Sequence, residues 1–129
     1  MEHDALMKAL VQAKRFGNLL NEALDLSRQL AEAVDRDDTV AVQMLVAMRQ
    51  EPIDKLMATE QALEDQITTI PDPDEAARLS ALLEGGPAET AEEQLLADQV
   101  AANGRRLKQV LYLDRVVNRK VTREKSIYS

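Results

Sequence analysis

The chain has 129 residues, a net charge of −7 and no cysteine, so it can bury one modest core but can build no disulfide framework, zinc ribbon or thiol chemistry. Aromatic residues make up 2% of it, and it holds only four glycines and four prolines. The apolar content is Leu, Ala, Val and Met among Glu, Gln, Lys and Arg, a mixture that excludes a sheet-rich fold and favours few, long helices.

A first helix is expected over about residues 4–35. Leu6, Leu10, Ala13, Gly17, Leu20, Leu24, Ser27, Ala31 and Val34 alternate spacings of four and three, a sustained heptad seam. Ala9, Phe16, Ala23 and Leu30 widen it, and Leu19 and Leu26 add apolar surface beyond. A stripe this broad predicts contact with more than one neighbouring helix. The acidic break Asp35-Arg36-Asp37-Asp38 offers Asp37 or Asp38 as N-cap of a second helix over about 38–69, with the seam Ala41, Leu45, Met48, Pro52, Leu56, Thr59, Leu63, Ile67 and Ile70. So short a connection folds the two into an antiparallel hairpin. Pro52 lacks the N–H that would bond the Met48 carbonyl, which predicts a kink.

Ile70-Pro71-Asp72-Pro73 ends the hairpin, and Asp72 with Pro73 can start a short helix over about 73–84, stopped at Gly85-Gly86. Pro87, or Thr90 with Glu93 as a capping box, begins the last helix, expected over about 88–125, with 126–129 fraying. Its seam reads Leu96, Val100, Asn103, Leu107, Val110, Asp114, Val117 and Val121. Between 107 and 117 it is apolar nearly all round, which reads either as ordinary intramolecular core or as surface covered by the hairpin together with a second subunit or a partner. Asn103 and Asp114 on this seam read either as register-setting polar pairs or as gaps in an irregular stripe. Gly17 reads either as a point of close helix approach or as a tolerated cost of about 1 kcal/mol. The expected fold class is all-α: a long antiparallel hairpin, a short helix and a long C-terminal helix, packed as a bundle in a single domain spanning 1–129.

Conventional site chemistry is missing. The single histidine, His3, sits at the chain start, so neither paired Glu-x-x-His metal ligands nor a Ser-His triad can be assembled. No phosphate-binding glycine loop is present. The expectation is therefore no enzyme, no metal and no cofactor. No signal-peptide pattern opens the chain and no long uncharged apolar run occurs, so no membrane insertion and a cytoplasmic location are expected. Residues 105–129 carry eight basic residues against Asp114 and Glu124, so the rest of the chain is more acidic than the net charge shows. That acidic body and the scarcity of stacking aromatics disfavour nucleic acid as a partner.

Two stretches resemble a known family. Leu30-Ala31-Glu32-Ala33-Val34, an acidic break and Val42-Gln43-Met44-Leu45-Val46-Ala47-Met48-Arg49-Gln50-Glu51-Pro52-Ile53-Asp54-Lys55-Leu56 are similar to the short acidic turn, hydrophobic pair, Arg, then Ile and Leu of flagellar type III export chaperones of the FlgN and FliT kind. Asn103-Gly104-Arg105-Arg106-Leu107-Lys108-Gln109-Val110-Leu111 resembles the last helix of FlgN-like members. The resemblance implies a chaperone that holds the C-terminal helices of hook–filament junction or cap proteins before secretion, by helix-in-groove recognition. The residues then expected to bind the partner are Leu107, Val110, Leu111, Leu113, Val117 and Val121, with Arg106 and Arg115 selecting an acidic partner face. A structural coiled-coil homodimer and a regulatory adaptor without an export role are the competing expectations.

Overall fold

The structure, a computed structural model, describes residues 2–128, with side chains from Glu2 to Val121. The basic residues Arg123 and Lys125 of the expected tail lie outside the described side chains, and Ser129 outside the described residues. Four helices follow one another: α1 (His3–Asp35), α2 (Thr39–Thr69), α3 (Pro73–Leu83) and α4 (Ala91–Tyr128). Among the described residues there is no strand, and no helix is long and apolar enough to cross a membrane.

The helix boundaries are set by local chemistry. Asp38, not Asp37, caps α2: its Oδ1 accepts from the Ala41 N–H at 3.1 Å, while Asp37 takes up the left-handed backbone of the turn (φ 56°). Asp72 caps α3 by accepting from the Asp74 N–H at 2.9 Å, with Pro73 in the first turn. Gly85, at φ 94°, ends α3, a conformation that side chains with a Cβ rarely adopt. α4 starts at Ala91 rather than near 88, because Thr90 Oγ1 accepts from the Glu93 N–H at 3.1 Å and leaves Pro87 and Ala88 in the connection. It also continues past 125, to Tyr128. α2 runs unbroken through Pro52, which is buried.

α1 is the shared partner of the long helices: α2 and α4 each pack along it, and they touch each other little. α2 is antiparallel to α1, since Gln66 Nε2 donates to the Ala5 carbonyl (2.8 Å) at one end and Arg49 to Ser27 Oγ (3.2 Å) further up. α4 is parallel to α1, with His3 beside Glu92 at the bottom and Lys120 paired with Asp35 at the top. The broad α1 stripe is thereby used on two sides, and every seam residue named from its spacing is buried except Ala31, which is half-buried. On α2 only Leu45, Pro52, Thr59 and Gln66 are buried, one position in seven. Met48, expected on this seam, is 50% exposed.

The core falls into two clusters. The lower one joins Leu6, Ala9, Leu10 and Ala13 of α1 to Leu79 and Leu82 of α3 and Leu96 of α4. The upper one joins Leu26, Leu30 and Ala33 to Leu45, with Val117 packed against it. Between them lie polar locks. Asn103 Nδ2 donates to the Ala13 carbonyl at 2.9 Å, and its Oδ1 accepts from Gln99 Nε2 at 2.9 Å. The space for this amide exists because residue 17 is glycine: a Cβ there would stand 2.6 Å from Asn103 Oδ1. Close approach and register control, open alternatives from the residues alone, are thus one device. Asp114 pairs with Arg49, which also donates to Ser27, tying α1, α2 and α4 together.

A third lock fixes the α3–α4 connection. Arg78 Nε and Nη2 donate to Glu93 Oε1 at 3.1 and 2.5 Å, and Nη2 also donates to the Pro87 carbonyl at 2.7 Å. Glu93 is buried, its side chain 4% exposed, and its Oε1 accepts from the Glu89 N–H as well. The Arg78 hydrogen bond, with that backbone N–H, holds the Glu93 carboxyl below its ordinary value of 4.5 against the opposing effect of burial. A depressed folded-state pKa stabilises the fold above the unfolded value, and the contribution is lost as pH falls through the folded value. Glu93→Gln is therefore expected to lower the thermal midpoint by several degrees at neutral pH. The gap to the unsubstituted protein should close once pH is well below 4.5. Thermal melts across that range check this, and a gap that stays constant with pH would remove the carboxylate from the account.

Candidate functional site: a groove between α2 and α4

A helix that buries one residue in seven touches its neighbour along a line and leaves both flanks uncovered. That is the state of α2, with Leu45, Pro52, Thr59 and Gln66, and of α4 beyond its first turn, with Leu96, Asn103 and Val110 in the same spacing. Because both lines lie on α1, the flanks that α2 and α4 turn toward each other remain unfilled. The result is an open groove of about 750 Å³. Its floor is Ala13 and Phe16 of α1, the second of these the sole phenylalanine of the chain. Leu63 and Ile67 form the α2 wall, Val100, Gly104 and Leu107 the α4 wall, and Leu83 of α3 closes the lower end. At the upper end the Arg49–Asp114 pair bridges the two walls. From Val100 to Leu107 the α4 wall measures roughly 10 Å, about two helical turns.

The eight residues expected to bind a partner do not share one face. Leu107 lines the groove and is 40% exposed, and Leu111, 48% exposed, follows it one turn on along the same wall. Arg115 is exposed one turn further. Val110 is 8% exposed, pointing inward on the buried line, so it serves the fold. Val117 packs on the upper core cluster and Val121 is half-buried. Arg106 and Leu113 lie across α4 on the opposite flank. Arg106 borders a polar depression of about 520 Å³ with Lys14, Asn18 and Asp98, and Leu113 a smaller one of about 330 Å³ with Leu24, Arg28 and Tyr112. The apolar belt between 107 and 117 is thus not enclosed within one chain, since Leu111 and Tyr112 (60% exposed) stand open beside buried Val110.

Phe16, Leu63 and Ile67 were assignable to helix seams and Leu83 to the end of the short helix, but none to a site. The signal for an extra occupant lay instead on α4, in the apolar surface between 107 and 117. Among the described residues no group of three or more His, Asp or Glu is placed to hold a metal ion. What the arrangement offers is an open trough with an apolar floor. Comparison with models of known protein families, with curated proteins and with solved structures finds no match to this chain.

Proposed function

We propose that this protein is a non-enzymatic, cytoplasmic helix-binding protein, an export chaperone that holds the C-terminal helices of a flagellar hook–filament junction or cap protein until secretion. The observation that carries the reading is the groove between α2 and α4. It is apolar along its floor and walls, about two turns long, and left open because both walls spend their buried line on α1. An amphipathic helix laid there supplies the missing fourth member of the bundle, and the groove in turn covers an apolar face that would otherwise aggregate. The family resemblance of residues 30–56 and 103–111 supplies the client class.

Calorimetric titration with C-terminal segments of hook–filament junction and filament-cap proteins tests it. Binding at micromolar affinity or tighter is expected, on the order of −8 kcal/mol. Leu111→Asp is expected to abolish binding while the helical circular dichroism and thermal midpoint hold, because Leu111 is 48% exposed. Val110→Asp, by contrast, should unfold the protein, since it places a charge at a site only 8% exposed. No heat with any client, together with a tight homodimer in light scattering, would replace the chaperone with a self-associating coiled coil whose groove is its own interface.

A further inference from the structure

Along α2 and the end of α3 the rim of the groove is acidic. Glu60 and Glu64 stand one turn apart on α2, and Glu84 follows the end of α3, all three exposed and all three bordering the cleft. None of them has an ion-pair partner among the described residues, although other surface carboxylates do, Glu51 with Lys55 and Asp35 with Lys120 among them. Arg106, the cation expected to face a partner, opens onto the other flank of α4. A helix lying in the trough would bury one face against Phe16, Leu63, Ile67, Leu83, Val100 and Leu107. The residues bordering that face would then stand against the rim. Acidic residues there would set like charges against carboxylates that no described side chain neutralises, whereas Lys or Arg would supply partners for them.

We propose that the occupant of the groove is an amphipathic helix of a separate protein whose apolar face is bordered by Lys and Arg. This rests on the groove being a helix-binding site and adds the chemistry of what it selects. Toward α2 and α3 the partner is thus basic, the reverse of what Arg106 suggests when α4 is read alone, while Arg115 stands on the α4 side, one turn past Leu111.

The test uses the full-length protein and two synthetic helical peptides of about four turns. They share one Leu/Ala face, bordered by Lys in one and by Glu in the other, and each is titrated by fluorescence anisotropy. At low salt the Lys-bordered peptide should bind at least about tenfold tighter, and the gap should narrow as salt screens the rim. The triple variant Glu60→Lys, Glu64→Lys, Glu84→Lys, checked for unchanged circular dichroism, should reverse the order of the two peptides.

Equal affinity for both peptides, lost in Leu107→Asp, would overturn the charge selection and leave the groove standing. Failure of both to bind, or binding that Leu107→Asp leaves intact, would overturn the groove reading and this inference with it. Self-association at low salt that disappears on rim reversal, with no binding of the Lys-bordered peptide, would overturn a separate partner in favour of the basic end of α4 from a second copy.

Discussion

Gly17→Ala is expected to destabilise the protein by about 2 kcal/mol, although alanine is the better helix former by about 1 kcal/mol. The new methyl group would stand 2.6 Å from Asn103 Oδ1 and 2.7 Å from Gln99 Nε2, so the amide must leave its notch or α4 must move off α1. Either way the hydrogen bond from Asn103 to the Ala13 carbonyl is lost, and a polar group 8% exposed in the folded state is left without its partner. In an Asn103→Ala background the buried amide is gone and the Gln99 amide, freed of its Asn103 partner on a flexible side chain, can swing clear, so Gly17→Ala should become neutral or stabilising, by up to about 1 kcal/mol. The coupling is therefore about 2–3 kcal/mol, read from urea unfolding of the four members of a double-mutant cycle. If Gly17→Ala cost the same with and without Asn103, the notch would have no energetic role.

Leu79→Ala should cost about 3 kcal/mol, and its effect should spread beyond the lost side chain. α3 has 11 residues, too few to hold a helix in water without packing. It is held by Leu79 and Leu82, both at 0% exposure against Leu6, Leu10 and Leu96, and by the Arg78–Glu93 lock. Removing one anchor is expected to bring the amides of 73–83 to exchange through local opening well before the rest of the chain. Because Ser80, Leu83 and Glu84 close the lower end of the groove, peptide binding should weaken at the same time. Hydrogen exchange resolved along the chain measures the first effect and anisotropy the second. Uniform loss of protection in all four helices would show instead that α3 has no separate opening and belongs to a single cooperative core.

Much of the helix layout was legible from residue type and spacing. The capping residues Asp38, Asp72 and Thr90 stand where short polar side chains precede helical runs, and each accepts the hydrogen bond its position calls for. The α1 stripe, too wide for a single neighbour, is buried on two sides as its width requires. The start of α4 was harder, because Pro87 and Thr90 are both good first-turn signals, and only the Oγ1 contact to the Glu93 N–H separates them. The candidate site was less legible. Val110 and Leu111 are adjacent, similar in size and equally apolar, yet one is interior and the other is open to solvent.

What the residues determined by themselves, then, is the order of the helices, the bounds of the first three and how the apolar surface of each is distributed around its own axis. A 3.6-residue period carries that information locally. What only the tertiary structure decided is which neighbour each part of that surface meets. The missing Cβ of Gly17 acquires a role only once Asn103 lies opposite it, 86 positions along the chain. In the same way, Glu60, Glu64 and Glu84 become a rim only when α2 and the end of α3 are brought to one cleft. The period of a helix gives angles about its axis, whereas a groove is made by the distance between axes, which the packing of α2 and α4 onto the shared α1 sets.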